Sequence, residues 1–369
     1  MLIFTAIIAF LVIFSLLILV HEWGHFTAAR KFGVKVEEFG FGLPPLAKKL
    51  FRDKKKTEYT LNWLPLGGFV RMKGEDSHNP KILKDKDSFA AKPVWQRIVI
   101  VCAGVVMNFI TGFILLTLVF SSGNTYLTPA EKIDELLAQN PNAELIDKKP
   151  LGLFVENVPE DGIAAQTELQ KFDFISAINK QSFTSVDEFS ALMKENSGQE
   201  TTLTIIRRSL EFDITIIPDI EGKIGIMIAG PFNAVKLRYP FLESVGKAGK
   251  ETVYLTKLIT TSIGGLFGSL LHGHFPDEIG GPVAIAKETF YRANNLTALL
   301  NFAAILSITL AIFNILPIPA LDGGRLLFLI YEGIIRRRPN PQLEAKIHVT
   351  GYILLLGLIA LISWHDIFG

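Results

Sequence analysis

Residues 21–25 read His-Glu-Trp-Gly-His, and their types and spacing suggest metal chemistry. On a helix, His21 and His25 project from one face, one turn apart, where both imidazoles reach a single metal ion. Glu22, next to the first histidine, is placed to take a proton from a water on that ion, the arrangement of zinc hydrolases. So short a pattern arises by chance in long chains. Here it directly follows an apolar run, Leu2 to Val20, broken only by Thr5 and Ser15. Ionisable groups beside hydrocarbon-grade sequence are costly, and those that persist are usually functional. A catalytic zinc needs three protein ligands and an open position. Where a third histidine completes many soluble zinc sites, six residues past His25, this chain has Lys31, so the third ligand must come from a distant part of the sequence.

Composition says what kind of scaffold holds these groups. Of 369 residues, 49% are hydrophobic and only 20% charged, with mean hydropathy +0.35. Soluble domains carry about 25% charge, so a membrane protein with water-facing parts is expected. A net charge of +1 without a basic tail gives no support to a nucleic-acid partner. The single cysteine, Cys102, rules out an intramolecular disulfide. The N-terminal run lacks a basic leader and is longer than a signal-peptide core, so it reads as a retained transmembrane helix.

As a helix, Leu2–Val20 spans about 28 Å, near the thickness of a hydrocarbon core, and residues 1–30 are expected to form one helix through the motif. Residues 31–97, together with Arg30, carry sixteen Lys/Arg against eight Asp/Glu. By the positive-inside rule this region is cytoplasmic, and His21–His25 lie at the cytoplasmic end of the first span. Within it, Val36–Phe41 and Thr57–Trp63 look strand-like. Leu64–Val70 reads either as a soluble hairpin or as a β-loop dipping into the membrane interface. Residues 98–120 form a second span, in which Gly104 permits close helix packing. Asn108 there needs a partner, either a neighbouring helix or a substrate backbone. Residues 121–230 lie on the outer face and contain a small α/β module at about 151–220. Residues 231–295 are amphipathic, with a surface helix expected over Val245–Leu258. Residues 296–335 hold a third span broken near Pro317, Pro319, Gly323 and Gly324, and residues 349–364 a short fourth. His78, His272, His274, His348 and His365 read as loop or interfacial residues.

Topology nominates the missing ligand. Spans one and three both run outside to inside, so Asp322, in the broken end of the third, lies level with His21 and His25. Irregular backbone at membrane depth is tolerated only when buried in protein or lining a wet cavity. His21, His25 and Asp322 would bind Zn²⁺ through nitrogen and oxygen, with Glu22 as general base. The Asn314 amide faces the same end, for holding a substrate backbone or an oxyanion or for an interhelical hydrogen bond. A peptide unwound from a helix needs an edge to pair with, and the loop around Gly67, Gly68 and Phe69 offers one. On the residues alone, a catalytically idle membrane scaffold and a membrane zinc protease of another fold, with a different third ligand, remain alternatives.

HEWGH at the end of a first span, with Asn314-Ile-Leu-Pro-Ile-Pro-Ala-Leu-Asp-Gly-Gly324 far downstream, resembles the site-2 protease family of intramembrane zinc metalloproteases. Pro65–Glu75 resembles the membrane-associated β-loop of its bacterial RseP type. Gly104–Asn108 resembles that type's GxxxN motif, and Gly281–Ala286 its stretch before the third span. The α/β module is similar to a single PDZ domain, although Phe172 stands where the pattern has a glycine before Asp173. The resemblance implies a membrane α-helical fold with four transmembrane helices, a membrane-associated β-loop and an inserted soluble PDZ-like α/β domain. It also implies a zinc metalloendopeptidase of the bacterial inner membrane, with the PDZ-like domain on the outer face. Its expected substrates are single-span membrane proteins after site-1 cleavage, such as anti-sigma factors or remnant signal peptides.

Overall fold

The computed structural model describes residues 2–75, 82, 85–208, 210–272, 281–293 and 295–368. His78 and His274 lie outside them. The chain forms two compact units, residues 1–117 with 246–369, and residues 118–245.

In the first unit, helix α1 (Leu2–Lys31) carries the apolar run through HEWGH without a break. It stops at Gly33, whose φ of +70° lets the chain turn away. Strands β1 (Val36–Arg52) and β2 (Glu58–Met72) then pair antiparallel, and each doubles back on itself. Residues 38–41 pair with 58–61 on one side and with 68–71 on the other, while 46–52 pair with the far side of 58–62. The bends fall at Pro44, Pro45 and Pro65, where a missing N–H interrupts the ladder. Two strands thus make four segments, and among the described residues the 68–72 segment is paired on one edge only. It is pinned to α1 at Ser15, whose Oγ donates to the Pro65 carbonyl (2.8 Å) and accepts from the Gly67 N–H (3.1 Å). At the other end of α1, Arg30 pairs with Asp53 and donates to Thr57 Oγ. Burial would raise the Asp53 carboxyl, but this guanidinium and the Thr57 and Lys55 N–H groups hold it below its ordinary range. Apolar residues beside the Pro65 bend stay exposed, Trp63 at 71% and Leu64 at 49%, an apolar patch of the kind that marks an interaction surface.

Helix α2 spans Val94–Ser122. The start of a further long helix (Phe241–Leu271) belongs to the second unit, and the rest of it to the first. Among the described residues, four helices, over residues 8–31, 94–122, 296–315 and 342–368, are long and apolar enough to cross a membrane. The last begins at Pro341 and runs to Phe368, longer at both ends than the expected 349–364. Proline suits the first helical position, where its missing N–H has no partner to lose. The polar Gln342–Lys346 then extends the helix beyond its apolar stretch.

The second unit is built on a sheet. Its strands are β3 (Asn124–Pro129), β4 (Glu144–Asn157), β5 (Phe174–Ile178), β6 (Gln181–Ser182), β7 (Thr201–Arg207), β8 (Leu210–Ile216) and β9 (Met227–Arg238), ordered β3-β9-β4-β5-β7-β8 with β6 beside β5. Helices α3 (Ile133–Ala138) and α4 (Val186–Glu195) complete it. Leu153, Ile175, Leu203 and Ile205 are fully buried, and α4 packs Phe189 and Met193 onto them. The sheet reaches beyond the expected 151–220: residues 144–150 belong to β4, and much of β9 occupies residues expected at the membrane surface. Residues 144–150 are exposed throughout, so they lack the alternation that marks a half-buried strand. Phe172 has a φ of +75°, the left-handed conformation that explains a glycine at this place in the related pattern. The next residue, Asp173, is buried and takes Arg207 Nε at 2.6 Å.

In order along the remainder of the first unit, we number the helices α5 (Phe241–Leu271), α6 (Pro282–Arg292), α7 (Leu296–Ile315), α8 (Asp322–Ile335) and α9 (Pro341–Phe368).

Candidate active site

Three helices supply the site. Near the end of α1, His21 and His25 are buried, their ring centroids 4.7 Å apart in an edge-on arrangement. Asp322 is the first residue of α8, after the break at residues 316–321, and a carboxylate is favoured at a helix N-terminus. The sharp return between α7 and α8 requires glycine: a Cβ on Gly324 would meet the Ile318 carbonyl oxygen at 2.5 Å, and one on Gly323 would run into the carbonyls of Ile315 and Leu316. These contacts account for the paired glycines after Asp322.

The donors converge. His21 Nε2 lies 2.8 Å from Asp322 Oδ2, His25 Nε2 3.2 Å from the same oxygen, and the two Nε2 atoms are 3.1 Å apart. Bonds of about 2.0–2.1 Å in a tetrahedron would set neighbouring donors about 3.3 Å apart. The triangle is only slightly tighter than that, and two imidazole nitrogens with one carboxylate oxygen are a donor set zinc accepts. His21, His25 and Asp322 form the one such cluster among the described residues. The residues present therefore fit zinc.

Helix α2 forms the floor. Gly104 lies against both imidazoles, and a Cβ there would come 2.5 Å from His25 Nε2 and 2.7 Å from His21 Nε2. His25 Nδ1 is 2.9 Å from the Ile100 carbonyl. An N–H donated to that carbonyl leaves the Nε2 lone pair facing the cluster.

Glu22, His25 and Asp322 open onto a cavity of about 240 Å³ that is also lined by Phe69, Val70 and Met72 of β2. Of the expected substrate-side residues, Phe69 lines it. Gly67 and Gly68 instead let β2 approach α1, against Ile18 and Leu19. Asn314 is half-buried in the last turn of α7 and is not among the residues lining this cavity. Asn108 is fully buried, and its amide faces His21 rather than the cavity.

With this geometry in hand, comparison with known proteins decides the family. A model of peptidase family M50 matches residues 9–358. The chain belongs to peptidase family M50, the site-2 proteases. Among similar M50-type proteins, the regulator of sigma-W protease RasP of Bacillus subtilis is 30% identical, with 98% of each chain covered. The zinc metalloprotease RasP of Shouchella clausii is 29% identical, again with 98% of each chain covered. As an M50 member, the protein is a membrane-embedded zinc metalloprotease with Zn²⁺ as its cofactor.

Two further residues beside the cluster are not singled out by the sequence alone. His348 of α9, expected to be interfacial, accepts the Ala320 N–H at Nδ1 (3.1 Å), in the turn that leads into Asp322. Arg325, one turn beyond Asp322 on α8, lines the cavity and pairs with Glu75, three residues past the end of β2. The i, i+3 spacing of Asp322 and Arg325 was the available signal for the second.

Proposed function

We propose that this protease hydrolyses peptide bonds inside the transmembrane segments of single-span membrane proteins already trimmed by a first cleavage, with anti-sigma factors and remnant signal peptides as the substrate classes. The observation that carries this reading is the shared cavity. Glu22, His25 and Asp322, held on apolar helices, line it together with the 68–72 segment of β2, whose second edge has no strand beside it among the described residues. A substrate helix must unwind before its peptide bonds can be reached, and the released backbone groups need partners in a low-dielectric setting. Strand addition along 68–72 supplies them beside the reacting groups.

His21, His25 and Asp322 would hold the zinc, which when bound would supply a Lewis acid for the scissile carbonyl and the attacking water. Glu22 takes the proton from that water and returns it to the departing amine. Phe69, Val70 and Met72 wall the cavity with apolar surface and limit competing water. The excess of basic residues in 30–97 supports a site near the cytoplasmic face of a bacterial inner membrane, and we assign the β-rich domain of residues 118–245 the PDZ-like role of screening substrates by size on the outer face. The Bacillus subtilis relative, named regulator of sigma-W protease RasP, supports an anti-sigma factor among the substrates.

The test is membrane proteomics of cells producing wild type or Glu22→Gln. Truncated single-span fragments should accumulate only with the variant. Equal loss of those fragments with both proteins would defeat the proposal.

A further inference from the structure

Each imidazole of the cluster has a second nitrogen, and the structure aims both of these at α2. For His25 the partner is plain, the Ile100 carbonyl at 2.9 Å from Nδ1. For His21 it is Asn108, whose Nδ2 lies 3.4 Å from Nδ1. Asn108 sits four residues after Gly104, on the α2 face that meets both imidazoles, and it is completely buried. Its backbone is held in place by Ser307 of α7, whose Oγ donates to the Asn108 carbonyl at 2.8 Å. Its side-chain oxygen, Oδ1, is buried and makes no hydrogen bond.

These facts fit together once the amide is turned. A histidine that gives its Nε2 lone pair to a metal carries its remaining proton on Nδ1 and needs an acceptor there. An amide nitrogen facing that N–H sets donor against donor. The two ends of an asparagine amide have the same shape, and which end points where is decided by hydrogen bonding. Rotating the Asn108 amide by half a turn gives the orphaned oxygen a donor and His21 its acceptor.

We infer that Asn108 is the positioning residue of His21. Its side-chain carbonyl accepts the Nδ1–H, fixes the ring's tautomer and orientation, and holds Nε2 toward the zinc. Helix α2 then orients both histidines, through a backbone carbonyl for one and a side-chain carbonyl for the other. This role replaces contact with substrate for Asn108, and it rests on His21 being a zinc ligand, as proposed above.

The experiment measures zinc affinity by chelator competition on the purified, detergent-solubilised full chain, without recourse to activity. Asn108→Leu, similar in volume but without an acceptor, should bind zinc 10–100-fold more weakly. Asn108→Asp presents only acceptor oxygens to the same ring, and should keep affinity within a few-fold of wild type. If the leucine variant fails to fold, Asn108→Ala, which adds no bulk, takes its place with the same expected loss. Wild-type affinity in Asn108→Leu or Asn108→Ala overturns the inference, and so does an aspartate variant as weak as leucine. His21→Ala in the same assay separates the two levels: zinc retained there defeats the ligand assignment itself, whereas zinc lost there but kept in Asn108→Leu defeats only the role given to Asn108.

Discussion

His21 Nε2 and Asp322 Oδ2 lie 2.8 Å apart although 301 residues separate them in the chain. The contact exists because the end of α1 and the start of α8 reach the same depth, with α2 beneath both. Asp322 is the one carboxylate of the cluster, so a zinc ion held here would find half of its charge balance in that residue. Asp322→Ala should therefore lower zinc content of the purified protein to a small fraction of wild type, read by elemental analysis. Undiminished zinc would show that another residue completes the site.

Glu22 faces the cavity but does not belong to the donor cluster. Glu22→Gln removes a proton acceptor and leaves the ligands in place. Zinc content should stay at the wild-type level while cleavage falls by roughly 10²–10⁴-fold, the usual share of general acid–base catalysis. A parallel loss of zinc and activity would make Glu22 a ligand instead.

Gly104 leaves no room for even one methyl group. A Cβ at 2.5 Å from His25 Nε2 must push the imidazole aside, because α2 itself is fixed by the close approach of Gly24 to Ala103. Gly104→Ala should weaken zinc binding more than tenfold in competition assays with little change in helix content. Alanine is the better helix former, so unchanged affinity in a more stable protein would refute this account of the glycine.

Much of this site can be read from the sequence, and the reasons differ by residue. HEWGH and its apolar run declare themselves because helix periodicity and span length are local properties, and the Pro-Ile-Pro-Ala-Leu-Asp-Gly-Gly break is written in residues with few backbone options. Matching depth then brought Asp322 to the histidines. The partners contributed by α2 were not legible in the same way. Whether Asn108 meets His21 or a substrate depends on the rotation of one apolar helix against another, and α2 is apolar on most of its surface. The doubled-back β1–β2 sheet was hidden for a related reason: its prolines marked breaks, but not that the chain pairs with both edges after them. In the second unit, exposed β4 residues with Lys148, Lys149 and Pro150 carried no strand signal until β9 was beside them.

Asp173 and Arg207 tie the turn before β5 to the end of β7. The Asp173 side chain is 1% exposed, accepts Arg207 Nε at 2.6 Å and Nη2 at 2.7 Å, and also takes the Gln170 N–H at 2.8 Å. Asp173→Ala strands those donors, although Arg207 is partly exposed and can turn to water. The cost to this unit is about 2 kcal/mol, below the full penalty for breaking a buried pair. Amides in 174–178 and 203–207 that open with the unit should exchange hydrogen roughly thirtyfold faster in the full chain. Exchange at wild-type rates would show that the pair holds nothing.

Behind the turn that leads into Asp322, His348 Nδ1 accepts the Ala320 N–H at 3.1 Å, and Ala320 has a φ of +82°. A left-handed alanine costs about 1–2 kcal/mol, and the turn keeps it because the peptide N–H finds its acceptor on α9. His348→Ala leaves that N–H without the imidazole, at about 1–3 kcal/mol, and the strain falls on a segment that ends two residues later in Asp322. Zinc affinity should drop about tenfold. Adding Ala320→Gly removes the steric part of the strain and should recover several-fold of the loss, so the double variant binds zinc more tightly than His348→Ala alone. The pairing is tested by that recovery. An Ala320→Gly effect of equal size in the wild-type and His348→Ala backgrounds would mean that the two residues act independently, and that α9 does not hold the turn in place for Asp322.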